Sequence, residues 1–158
     1  MNAAIVCVGR LREKFYAAAA EEYLKRLSRY GKTEIVELPD LPEPAHASDA
    51  DRLTVMEKEG ESILSKIKSQ DHVIALCIDG PQYDSVAFAR KIAENERTGA
   101  RQVFVIGGSL GLSNAVVARA NEKISLSKMT FPHQLARVLL LEQLYRACKI
   151  NAGERYHK

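Results

Sequence analysis

No stretch of this 158-residue chain stays apolar for the roughly 20 residues that a membrane-crossing helix needs, so no such helix is expected. The opening residues, Met1 to Gly9, carry no basic segment, no long apolar core and no cleavage signal of a secretory leader. Cysteine is scarce. Cys7, Cys77 and Cys148 make an odd count with no CxxC pair and no accompanying histidine spacing, which argues against a zinc site. Cys7 and Cys77 sit inside apolar runs, where a thiol behaves as a small hydrophobe. Together these absences read as a reduced, cytoplasmic protein with no metal and no membrane partner. Charge of one sign is also lacking: 23 Lys and Arg face 20 Asp and Glu, a net of +3. That balance does not demand a nucleic-acid partner but permits one where basic residues cluster. Phosphate-binding signatures are missing too. The spacing Gly107-Gly-x-x-Gly111 is not GxGxxG, and no Gly-Lys-Ser/Thr follows it.

What is present is enough for a globular domain. Hydrophobic residues make up 46% and charged residues 27%, and a single domain of this length buries a core without disulfides. Short runs at Ala3–Val8, His72–Ile78, Gln102–Ile106 and Ile124–Leu126, and the alternating Thr33–Leu38, read as strands. Helical spacing covers residues 11–30, Leu53–Ile67, Ser85–Asn95, Ser113–Ala120 and Pro132 to about Lys149. Pro39, Pro42 and Pro44 mark a rigid, non-helical loop, and His46–Asp51 reads as a polar, mobile stretch before the next helix. Strands alternating with helices predict an α/β fold: a mostly parallel sheet of about five strands, with helices on both faces. The whole chain reads as one domain.

Three predicted strand ends carry unusual residues. They are Leu76-Cys-Ile-Asp-Gly80, Ile106-Gly-Gly-Ser-Leu-Gly111 and Leu126-Ser-Lys-Met-Thr-Phe-Pro132. In a parallel sheet all three point the same way and can line one crevice, the usual place for a small ligand. The glycines admit close backbone approach, though a tight strand-to-helix turn uses the same residues. Ser127–Pro132 offers backbone donors, the Thr130 hydroxyl and the apolar Met129 and Phe131. It is equally readable as an ordinary connector with Phe131 in the core. On the last helix His133 reads as a helix-start hydrogen bonder, and Arg137 and Arg146 as solvated charges. The polar ending has its own chemistry. Arg155 and Lys158 can hold phosphate, Tyr156 and His157 can stack on a base, and His157 can carry a proton near neutral pH; a frayed terminus is the plainer reading.

These pieces occur in one order: Phe104-Val-Ile-Gly-Gly-Ser-Leu-Gly111, Leu126-Ser-Lys-Met-Thr-Phe-Pro-His133, Arg137, Glu142-Gln-Leu-Tyr-Arg146 and Arg155-Tyr-His157. The set resembles the ribosomal RNA large-subunit pseudouridine N3-methyltransferases, small knotted enzymes of the SPOUT class. The resemblance covers essentially the whole chain. It implies a C-terminal trefoil knot, an exception to the rule against threaded chains. It implies S-adenosyl-L-methionine as methyl donor, held by Leu76, Gly108, Ser127, Lys128, Met129, Thr130, Phe131 and Pro132. It further implies a homodimer acting on 23S ribosomal RNA in the assembled ribosome. Arg155, Tyr156 and His157 are then expected beside the active site as catalytic residues. Two alternatives stay open, a SPOUT methyltransferase acting on transfer RNA and a non-catalytic ribosome-associated factor.

Overall fold

The computed structural model describes residues 1–158. Five parallel strands form one sheet: β1 (Asn2–Val8), β2 (Lys32–Leu38), β3 (His72–Leu76), β4 (Gln102–Ile106) and β5 (Glu122–Ile124), in the order β2-β1-β4-β3-β5. The five helices are α1 (Lys14–Leu27), α2 (Asp49–Leu64), α3 (Ser85–Glu96), α4 (Asn114–Arg119) and α5 (His133–Asn151).

Alternate residues of each strand feed two separate cores, as the two-residue repeat of a strand requires. Ala3, Ile5 and Cys7, with Ile74, Phe104 and Ile124, face α1, α3 and α5 and bury Leu27, Ile92, Leu140, Leu141 and Leu144. Ala4, Val6 and Val8, with Val73, Val103 and Val105, face α2 and α4 and bury Ile63 and Val116. Both faces of the sheet are covered, so the strands are near-continuous apolar runs.

The predicted fold class holds, and the differences lie at element ends. Helix α2 begins at Asp49, four residues before the expected start at Leu53 and inside the segment read as polar and mobile. Ser48 and Asp51 form a reciprocal cap: the Asp51 N–H donates to Ser48 Oγ at 3.1 Å and the Ser48 N–H to Asp51 Oδ2 at 2.9 Å. The signal was an aspartate three residues after the cap, where glutamate or glutamine is the commoner form. The cap of α3 is Asp84, which accepts the Ala87 N–H at 2.7 Å, while the hydroxyl of Ser85, the first helical residue, donates to Gln143 Oε1. Strand β5 lies two residues earlier than the apolar pattern placed it. Glu122 fits in the sheet because Lys91, His72 and Asn95 all meet its carboxylate. Ser125 then leaves the ladder, its N–H donating to the Pro81 carbonyl at 2.9 Å.

Candidate active site

The three unusual strand ends converge. The loops after β3, β4 and β5 and the first turn of α5 enclose a cavity of about 1080 Å³. Its walls include Leu76, Gly108, Ser127, Met129, Thr130, Phe131 and Pro132, seven of the eight residues expected there. Lys128 is exposed and does not line it. Phe131 is half-buried against the cavity rather than sunk in the core.

Two features make the cavity a cradle for a ligand of mixed polarity. The first is closeness of backbone. A Cβ on Gly107 would stand 2.7 Å from the Gly111 carbonyl carbon, so the β4–α4 loop can fold this tightly only without a side chain there. The second is unpaired donors. Between Leu126 and Phe131 only the Met129 N–H has a partner in the chain, the Ser127 hydroxyl at 2.9 Å. The N–H groups of Leu126, Ser127, Lys128, Thr130 and Phe131 are free, and backbone groups left free beside a cavity are ready to bond a ligand. Apolar side chains from Leu76, Ile106 and Leu112 complete the lining. This mixture suits the adenosyl and methionyl parts of S-adenosylmethionine, which has no phosphate to hold.

Helix α5 ties the cavity to the rest of the rim. His133 lines the cavity, its Nε2 turned toward Gly9, and makes no side-chain hydrogen bond, unlike the helix-start bonder expected. Arg137 is only 1% exposed, which corrects its reading as a solvated charge. Its guanidinium donates to Glu37 Oε2 at 2.8 Å and to the Gly9 carbonyl at 3.0 Å, pinning α5 to the ends of β1 and β2. Sequence spacing could not reveal this, because the partners lie about a hundred residues away. Glu59 was also missed. It is a buried carboxyl on α2 whose oxygens sit 3.4 Å from where Gly108 would carry a Cβ. Burial raises its pKa, and neighbouring Asp40 adds to the rise.

The C-terminal residues lie elsewhere. Tyr156 rests edge-on against Tyr145, its hydroxyl donates to Glu142 Oε1 at 3.2 Å, and the Arg146 guanidinium stacks over its ring at 4.6 Å. His157 Nδ1 meets Arg146 at 3.4 Å, and Arg155 is exposed. Arg146 lies nearly three turns beyond Ala136, the last cavity residue on α5, or about 15 Å along the helix at 1.5 Å per residue. No residue of 155–157 lines the cavity of its own chain. The tail is nonetheless docked: Glu154 holds Lys149 and accepts the Tyr30 hydroxyl at 3.1 Å. Burial and the Glu142 charge push the Tyr156 phenol up to about 12, so it stays a neutral donor at physiological pH.

A family model described as "Predicted SPOUT methyltransferase" matches residues 1–157. The chain belongs to the SPOUT methyltransferase family. Among its SPOUT relatives, the ribosomal RNA large subunit methyltransferase H of Bacillus cereus is 54% identical over 159 residues, with 100% of each chain covered. The enzyme of the same name from Bacillus anthracis is equally similar, at 54% identity and full coverage of both chains. A solved structure of a probable methylase family protein from Haemophilus influenzae Rd KW20 superposes with a TM-score of 0.56. It covers 99% of this chain and 70% of its own, and at 14% identity it speaks to the fold alone. SPOUT methyltransferases use S-adenosylmethionine, and the cavity described above fits that molecule. No three His, Cys, Asp or Glu side chains gather to hold a metal ion, and no helix is long and apolar enough to cross a membrane.

Proposed function

We propose that this chain methylates N3 of a pseudouridine in 23S ribosomal RNA, working as a homodimer on the assembled ribosome. The observation that carries the reading is the cavity where the β3, β4 and β5 loops converge, with its closely approaching glycine backbone and five free N–H groups. Relatives named ribosomal RNA large subunit methyltransferase H, fully covered by this chain, support a large-subunit ribosomal RNA target, and the family resemblance of the motifs supports N3 of a pseudouridine as the acceptor. The modest net charge supports an assembled target, since a compact protein of +3 has little surface for gripping naked RNA against salt.

S-adenosylmethionine, when bound, supplies an electrophilic methyl group. The free N–H groups of Leu126, Ser127, Lys128, Thr130 and Phe131 would hold its polar edges, and Leu76, Ile106 and Phe131 would keep water from the slot. The remaining work falls on the acceptor, whose N3 carries a proton at neutral pH. His157 takes that proton, Arg155 steadies the negative charge or an adjacent phosphate, and Tyr156, its hydroxyl already held by Glu142, stacks on or orients the base. Because these residues lie away from the cavity of their own chain, we place them at the cavity of the partner subunit. We also read the C-terminal part as threaded into a trefoil knot. Supporting this, the loop after β3 closes tightly over β5: a Cβ on Gly80 would stand 2.8 Å from the Ile124 carbonyl carbon.

Incubation with labelled S-adenosylmethionine and, in parallel, ribosomes, free ribosomal RNA and transfer RNA tests the reading. Label in 23S RNA of intact ribosomes, mapped by mass spectrometry to N3 of a pseudouridine, is the expected result. Label confined to transfer RNA would replace it.

A further inference from the structure

Beside the donor cavity lies a second one of about 320 Å³, at the carboxyl ends of β1 and β2. Its lining includes Gly9, Arg10, Arg12, Glu37 and Asp40. It falls at the lower end of ligand-pocket sizes, about 300–1,000 Å³. The two cavities share a wall. His133 lines the first, and its Nε2 stands 3.9 Å from where Gly9, in the second, would carry a Cβ.

We propose that this second cavity receives the acceptor nucleotide, a pyrimidine nucleotide of the RNA; the proposal rests on the methyltransferase reading above. Three observations support it. First, neither Arg10 nor Arg12 has a carboxylate within ion-pair distance, whereas Arg26, Arg52, Arg101, Arg137 and Arg146 all do. Two free guanidiniums in a concavity are suited to phosphate and carbonyl oxygens. Second, the loop that carries them is held rigidly. The Leu11 N–H donates to Glu37 Oε2 at 3.1 Å, the Arg12 N–H to Gln134 Oε1 at 3.0 Å, and the buried Arg137 grips the Gly9 carbonyl. Gly9 itself is at φ +86°, a left-handed turn that favours glycine. Third, the lining carries both signs. Glu37 and Asp40 would repel a bare phosphate, but a uracil-type base presents N–H donors as well as carbonyl acceptors. A base with its phosphate satisfies both halves of the cavity, and it lies one side chain from the donor.

The full-length protein and its Arg10→Gln, Arg12→Gln and double variants are compared with Lys14→Gln, a neighbouring exposed cation outside the cavity. Donor affinity is read by calorimetry with S-adenosylmethionine, folding by thermal melting, and kcat and KM with ribosomes at several salt concentrations. Both arginines are exposed, so melting stays at the parent value. The expected result is unchanged donor affinity and a KM for ribosomes raised about tenfold per arginine. The salt slope of log(kcat/KM) falls by about 1 for each phosphate that is no longer neutralised. Lys14→Gln moves neither. Unchanged KM and slope in the double variant, with the parent active, would overturn the subsite alone. So would an equal effect of Lys14→Gln, which would mean diffuse attraction. A parent that binds the donor but methylates no ribosome would overturn the proposed function and the subsite together.

Discussion

Two single residues carry more of this structure than their sequence context reveals. Arg137 is a buried charge whose guanidinium spans α5, Glu37 and the Gly9 carbonyl, with its Nε unpartnered. Removing it as Arg137→Leu strands a carbonyl and a half-exposed carboxylate. The cost by urea unfolding is about 2–3 kcal/mol, below the range for a fully buried pair because water screens Glu37. Arg137→Lys keeps the charge but not the two-pronged geometry, and falls between. Glu59 is the opposite case, a buried carboxyl with no cation beside it and Asp40 nearby. Its pKa is raised in the folded state, so its contribution to stability is full at acid pH and is lost as pH rises through the folded value. Glu59→Gln removes that loss while keeping an acceptor for the Leu41 N–H. Thermal melting at pH 8 is expected to rise by roughly 2–4 °C for each kcal/mol recovered, with little change at pH 4.

At the scale of elements, the strands and the glycine loop were legible in the sequence because each is governed by local rules. β4 was read at Gln102–Ile106 and is found there, since a short β-branched run ending at two glycines admits few alternatives. The three ligand loops were legible for the same reason, each being a strand end with atypical residues. What local rules cannot supply is partnership across the chain. Glu122 entered β5 on the strength of Lys91, His72 and Asn95, and the docking of the tail depends on Tyr30, Glu142 and Tyr145. Within the expected cluster at residues 127–132, Lys128 is exposed and does not line the cavity while its neighbours Ser127 and Met129 to Pro132 do, an orientation that residue types alone do not set. The β4–α4 loop gives the sharpest test. In Gly107→Ala the new methyl collides with the Gly111 backbone, which cannot yield as a flexible side chain would. Calorimetry is expected to find donor affinity reduced at least tenfold. Gly99→Ala serves as the control: its Cβ meets nothing within 4 Å, and its φ of +73° costs only about 1–2 kcal/mol of stability, with donor binding intact.

The whole molecule poses a problem that one chain does not solve: the groups proposed to handle the acceptor's proton are docked far along α5 from the cavity proposed to hold the donor. In a two-fold dimer each cavity can be completed by the other chain's tail, because a symmetric interface repeats every cross-contact twice. The arrangement makes a quantitative prediction for mixtures. One variant carries Gly107→Ala, the other His157→Ala, and each alone should be nearly inactive. When equal amounts are unfolded and refolded together, half the dimers are mixed. Each mixed dimer has one cavity with both an intact glycine loop and an intact partner tail. The mixture should therefore recover about a quarter of the parent's methyl transfer to ribosomes. If cavity and tail acted within one chain, no pairing of these variants would place both intact parts together, and the mixture would stay as inactive as its components.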